Sequence, residues 1–137
     1  TANTFDYYLD TTPTTPATGN ITAALEKSII RTRSCQHLHK DQRRLFHSSL
    51  QVDFESGVGA ATGQGVDPTA MLRWSDDGGF TWTNNHHASL GALGKYGTRA
   101  IWRRLGSARD RIYEIAISDP VKAVIIGADL NLNLGDS

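Results

Sequence analysis

Between residues 45 and 55 the chain alternates with a period of two. Phe46, Ser48, Leu50, Val52 and Phe54 fall on one side, and Leu45, His47, Ser49, Gln51, Asp53 and Glu55 on the other. The first set is mostly apolar and the second mostly polar, which predicts a half-buried strand. Ala70, Leu72 and Trp74 alternate with Met71, Arg73 and Ser75 in the same way. Thr81 to Thr83 are expected to begin the return strand, and 84–97, with three glycines and no steady period, to form an irregular wrap. Further strands are predicted over 28–33, 98–105, 110–118 and 121–129. In the 110–118 strand Arg111, Tyr113, Ile115 and Ile117 share one side. AVIIGA has almost no polar break and reads as buried on both faces, with Pro120 turning the corner before it.

Six to seven strands, turn signals about every ten residues and hardly any helical period predict an all-β fold of antiparallel sheets. The arrangement is sandwich-like or propeller-blade-like, since no internal repeat allows a complete propeller. Residues 1–20 contain the Thr/Pro stretch TTPTTPATGN and read as an extended arm or linker. Residues 21–137 then form a single β domain, a size able to bury a core.

Charge narrows the function classes. Fourteen Lys and Arg balance fourteen Asp and Glu, which argues against holding nucleic acid by bulk charge. Ten of the basic residues are arginines, often in close pairs such as Arg103 with Arg104 and Arg109 with Arg111. The planar fork suits bidentate pairing, so these four mark either salt bridges across a sheet face or a subunit interface. The single Cys35 allows no intrachain disulfide and fits a reducing place of synthesis. No run of about 18 apolar residues is present, so no membrane-crossing helix and no membrane partner are expected.

Candidate chemistry is thin. The glycines of GVGAATGQG lack the following Lys-Ser/Thr pair of a phosphate loop. His37, His39 and His47 could meet across a hairpin, yet no Cys or acidic residue stands at zinc-ligand spacing. His47 and Ser48 point to opposite faces, and the face His47 shares with Ser49 looks open rather than pocketed, so no nucleophile–base pair is assigned. Trp102 and Tyr96 could stack on bases or sugar rings, or be ordinary packing under arginine stems. No catalytic, metal or cofactor-binding residue is predicted.

SDDGGFTW remains. Asp76 and Asp77 are adjacent and diverge on a strand, so they are not a catalytic pair; Asp76 is expected to face solvent. Gly78 and Gly79 permit left-handed backbone, and Asp77 can accept turn N–H groups that lack ladder partners. The spacing Ser75-x-Asp77-x-Gly79-x-Thr81-Trp82 resembles the Asp-box, a structural hairpin of sialidases and other β proteins. That likeness raises a second possible class, a carbohydrate-binding or glycan-processing β module using an exposed Trp102 or Tyr96. Arginine pairs raise a third, a DNA-contacting module.

A longer stretch, 67–130, carries RWSDDGG-x-TW, SLGALGKYG, WRRLG-x-x-RDR and EIAISDPVK, with RRLFHSSLQVDFESGVG upstream. In order and spacing these phrases resemble the C-terminal part of the packaged-DNA stabilization proteins (tail accessory, hub or nozzle proteins) of short-tailed bacteriophages, over roughly 28–130. A tryptophan expected near His87 is missing. The resemblance implies a non-enzymatic virion tail protein without cofactors, made in the bacterial host cytoplasm, and a chain that is a fragment or domain of a longer protein. It implies a hexameric ring below the portal that contacts portal, adaptor and other tail proteins, retains the genome and conducts DNA at ejection without sequence-specific binding. Zero net charge suits a conduit that must not grip DNA, and paired arginines suit head-to-tail interfaces.

Overall fold

The computed structural model describes residues 29–135. The expected Thr/Pro arm over 1–20, and Ser28 at the start of the 28–33 strand, lie outside them. The described residues form nine β-strands and no helix: β1 (Arg31–Ser34), β2 (Leu38–His39), β3 (Leu45–Phe54), β4 (Thr69–Ser75), β5 (His86–Ser89), β6 (Ala100–Arg103), β7 (Ser107–Ala108), β8 (Asp110–Ile117) and β9 (Ile125–Leu134).

Two antiparallel sheets face each other. In the first, β8 pairs with β4 along one edge and with β1 and then β2 along the other, while β5 pairs with β4. In the second, β9 pairs with β3 along one edge, and β6 and β7 share the opposite edge. Side chains from both sheets interdigitate: Leu50, Val52, Phe54, Ala100 and Trp102 from the second meet Ala70, Leu72, Tyr113 and Ile117 from the first. This is an all-β sandwich, as the strand pattern predicts.

The alternation of β3 changes phase midway. Leu45 and His47 are buried ahead of Ser48, and Leu50, Val52 and Phe54 after it, while Phe46 and Ser48 are exposed. Pairing with β9 skips Ser48, so β3 carries an extra residue there. Such a bulge moves every later side chain to the other face. The uniform face read from the sequence, with Phe46 and Ser48 inward and His47 outward, is therefore corrected at its first half. Across the bulge, Arg104 N–H donates to Ser48 O at 2.9 Å and His47 N–H to Gly106 O at 2.8 Å.

Two further expectations are corrected. The return strand of β4 is β5, within the stretch read as an irregular wrap, whereas residues 81–83 hold no strand. The last strand runs from Ile125 to Leu134 and not over 121–129, and it is exposed along nearly its whole length. Its Ile125 and Ile126 are 43% and 72% exposed, so the apolar run is not covered from both faces.

Candidate functional site

The β4–β5 connection folds on its own side chains. Gly78 and Gly79 both adopt left-handed angles, φ 77° and 99°, which a residue with a Cβ resists. Asp77 Oδ1 accepts from Ser75 Oγ at 2.6 Å and from Thr81 N at 2.9 Å, and Oδ2 accepts from Thr81 Oγ1 at 2.6 Å. Ser75 Oγ in turn accepts from Gly79 N at 2.8 Å, and Trp82 Nε1 donates to Gly79 O at 3.1 Å. The base is closed by Thr83 N donating to Trp74 O at 2.9 Å. All five residues Ser75, Asp77, Gly79, Thr81 and Trp82 thus take part in one hydrogen-bonded turn. Hydrogen bonds from Ser75 and Thr81 hold the Asp77 carboxyl well below the usual carboxylate range.

Asp76 does not simply face solvent. Its carboxylate accepts a bidentate pair from Arg111, Nε to Oδ1 at 2.5 Å and Nη2 to Oδ2 at 2.8 Å. Arg111 is 2% exposed, and its Nη1 also donates to Leu105 O at 2.5 Å. The guanidinium lies 5.2 Å from the Trp74 ring centroid, a cation–π distance. Arg111 therefore joins the turn, β8 and the β6–β7 link inside the protomer. Of the two readings of this arginine, a salt bridge or a subunit interface, the buried pair with Asp76 is the first. Arg103, Arg104 and Arg109 are exposed.

The network extends one step deeper. Arg111 Nη1 donates toward Tyr113 Oη at 3.4 Å, which orients the hydroxyl to donate its own proton to His47 Nδ1, at 2.9 Å. His47 Nε2 is buried without a hydrogen-bond partner. Burial, then the nearby Arg111 charge, lowers the His47 pKa to about 4, so the ring is neutral near neutrality. Burial likewise pushes the Tyr113 hydroxyl up. This chain of contacts lies outside the expectations drawn from the sequence. A signal was present: Arg111 shares a face with Tyr113, Ile115 and Ile117, and a charge on an apolar face requires a buried partner.

Other candidates are dispersed. His37 Nδ1 pairs with Asp110 Oδ2 at 2.8 Å on the surface, far in chemistry from the buried His47. No three His, Cys, Asp or Glu side chains among the described residues are grouped as a metal site. Trp102 is 5% exposed, and its Nε1 donates to His86 O at 2.9 Å. It packs the core and cannot be the exposed platform expected for sugar or base stacking; Tyr96 is 76% exposed. Tyr96 lies against Gly57, where an added Cβ would come within 2.6 Å of the ring, so the glycine-rich loop serves close packing.

A search of curated proteins finds no significant match to the chain. A family model described as "Bacteriophage P22 Gp10, beta-sandwich" matches residues 30–133. That span takes in all nine strands but the last residue of β9, and its description agrees with the two facing sheets. The chain belongs to the bacteriophage P22 Gp10 β-sandwich family.

Proposed function

We propose that the chain is the β-sandwich part of a structural tail protein that forms a ring below the portal, retains packaged DNA and lines part of the ejection conduit. The family match over residues 30–133 carries this reading. The polar groups described above support it, because they are spent on bracing. Asp77 holds a turn, Arg111 and Asp76 neutralise each other, and His47 is neutral and enclosed. The reading is non-enzymatic because it rests on the family match, that of a structural tail protein. It places the protein in the virion tail after synthesis in the host cytoplasm, with no cofactor.

Self-association into a hexamer and contact with portal, adaptor and other tail proteins belong to the same proposal. Arg103, Arg104 and Arg109 are its interface candidates, being exposed and close together in the β6–β8 region. The hairpin of Ser75 to Trp82 is read as an Asp-box serving stability alone. Particles made with a full-length parent carrying Arg103→Glu and Arg104→Glu test the proposal. They are expected to fill with DNA and then lose it, while the purified variant remains folded. Normal retention by particles that incorporate the variant would overturn the interface assignment. Normal retention by particles lacking the protein altogether would overturn the function.

A further inference from the structure

The first half of β3 fits two phases. In the described one, the extra residue at Ser48 turns Leu45 and His47 inward and Phe46 outward. Without a bulge the strand would be regular, with Phe46, Ser48, Leu50, Val52 and Phe54 on the inner face and Leu45, His47 and Ser49 on the outer. Everything from Ser49 onward keeps its place. Residues 45–48 alone move on by one position, which brings Ser48 opposite Leu132, His47 opposite Asn133 and Phe46 opposite Leu134. The exchange is close to balanced. Phe46, 47% exposed, would replace Leu45, 4% exposed, in the core. Each backbone bond passes to the next residue: Gly106 O and Leu105 N, bonded to His47, would meet Ser48, and Gly135 N, donating to Arg44 O, would meet Leu45 O. The backbone bond lost is that from Arg104 N to Ser48 O. Strain is gathered around the same segment. Among the described residues, the non-glycines with left-handed backbone are Asp41 (φ 47°), Gln42 (φ 56°) and Arg104 (φ 59°). The first two form the turn that feeds β3, closed by Arg43 N donating to Lys40 O at 2.8 Å, and the third lies opposite the bulge. Absorbing the extra residue would lengthen that turn by one and free Asp41 and Gln42 from angles that are costly for residues with a Cβ.

We propose that the first half of β3 switches between these two registers, and that a proton on His47 drives it from the bulged one to the regular one. In the bulged register the ring has one hydrogen-bond partner, Tyr113 Oη at 2.9 Å from Nδ1, and none at Nε2. A proton on Nδ1 removes the acceptor of that bond. The ionisable groups around the ring come from two elements and a connection. β8 supplies Tyr113 and Arg111, whose Nη1 stands 3.4 Å from Tyr113 Oη. The β4–β5 turn supplies Asp76, both of whose oxygens are already engaged by Arg111. The β1–β2 connection supplies Cys35, whose Sγ accepts from Tyr113 N at 3.2 Å. Among the described residues β7 and β9 add none: Leu45 is paired with Ala108 and His47 with Leu132, while Arg103 and Arg104 are exposed. A charged ring therefore meets a buried cation whose carboxylate is spent. On the outer face it would stand in water beside Asn133, and the Ser48 hydroxyl, brought inward, can accept from Tyr113 in its place. The lowering of the His47 pKa from 6.5 to about 4 agrees in direction. An outward ring keeps its ordinary value, so the regular register gains as pH falls from about 6.5 to about 4.

Nuclear magnetic resonance of the full chain between pH 7 and pH 4 tests this through the contacts across β3 and β9. A second set of signals is expected from residues 41–48, 104–106 and 131–135, its population relative to the first rising about 100-fold over that range. In the second set the cross-strand contacts move by one residue, from Phe46–Asn133 and Leu45–Leu134 to His47–Asn133 and Phe46–Leu134. His47→Asn, which gains no proton, should keep the first set at every pH. Ser48→Val, which favours the inner place, should bring out the second set at pH 7. Cross-strand contacts unchanged down to pH 4 would overturn the proposal, as would unfolding of the whole domain with no second set. A second set that grows equally in His47→Asn would overturn it too, by assigning the proton to another group. None of these outcomes depends on the tail reading.

Discussion

His47 shows how a single side chain ties this fold to pH. It is 2% exposed, receives the Tyr113 hydroxyl proton at Nδ1, and leaves Nε2 without a partner. Its folded pKa of about 4 lies below the ordinary 6.5 because burial and Arg111 disfavour the charged ring. The unfolded chain therefore binds the proton first, and stability falls as pH drops from about 6.5 to about 4, levelling below that. The loss is bounded at about 3 kcal/mol. His47→Asn, whose amide oxygen can still accept from Tyr113, should flatten urea-unfolding midpoints over that window; an unchanged slope would refute the assignment. Asp77 acts lower on the scale. Its carboxyl is held down by Ser75 and Thr81, so its contribution is present above the ordinary Asp value and lost as pH falls below about 3.8. Asp77→Ala should remove the acceptor of three turn hydrogen bonds and lower the melting temperature by about 4–8 °C. Asp76→Ala differs in kind, because it strands the guanidinium of buried Arg111. A loss of about 2–3 kcal/mol is expected in chemical denaturation, less than for a fully enclosed pair since the carboxylate is 44% exposed.

Among the elements, β3 carries the most information and the most instructive misreading. Its existence and length follow from alternation, because one polar and one apolar residue per pleat fits a half-buried strand. Its facing does not, because the bulge at Ser48 reverses the phase. Leu45 and His47 look like the wrong parity only when the strand is assumed regular. β4 and β8 have no such break, and their alternation places Leu72, Tyr113 and Ile117 correctly in the core. β9 fails differently: apolar composition implies burial, but exposure depends on whether another strand exists to cover it. The turn of Ser75 to Trp82 was legible because all its partners lie within eight residues of each other. The Arg111–Asp76 pair, 35 residues apart in sequence, was not, since no local spacing announces a tertiary ion pair. The bulge yields a direct prediction. Deleting Ser48 would take out the extra residue itself and leave Leu45, His47, Leu50 and Val52 on one face in unbroken register with β9, at the cost of the hydrogen bond from Arg104 N to Ser48 O. A loss of only about 1 kcal/mol is expected in denaturant titration. A loss of several kcal/mol would mean that the bulge also shapes the β6–β7 link.

For the whole molecule the decisive quantity is the balance of charge. Residues 29–135 carry a small basic excess, and the complete chain carries none. Three of the thirteen basic residues among 29–135 are paired with carboxylates inside the chain: Arg111 with Asp76, Arg73 with Glu114, and Lys122 with Glu55. Arg31 donates to Val121 O and Asp119 O, and so is held against its own β8–β9 corner. With cations and carboxylates in near balance the surface presents duplex phosphates with little net positive charge, and each phosphate left unneutralised removes the counterion release that drives association. The proposed conduit needs that weakness, since any contact formed during ejection must also break. Binding of the chain to duplex DNA at 0.15 M salt should therefore be weaker than about 10⁻⁴ M, the weak end of ordinary non-specific affinity. Fluorescence anisotropy with a labelled duplex, repeated at several salt concentrations, measures it. Submicromolar binding with a steep salt slope would contradict the conduit reading and favour a DNA-gripping module built on Arg103, Arg104 and Arg109. Substituting those three with glutamate would then abolish binding, whereas under the ring proposal it should change assembly and leave the already negligible DNA affinity as it was.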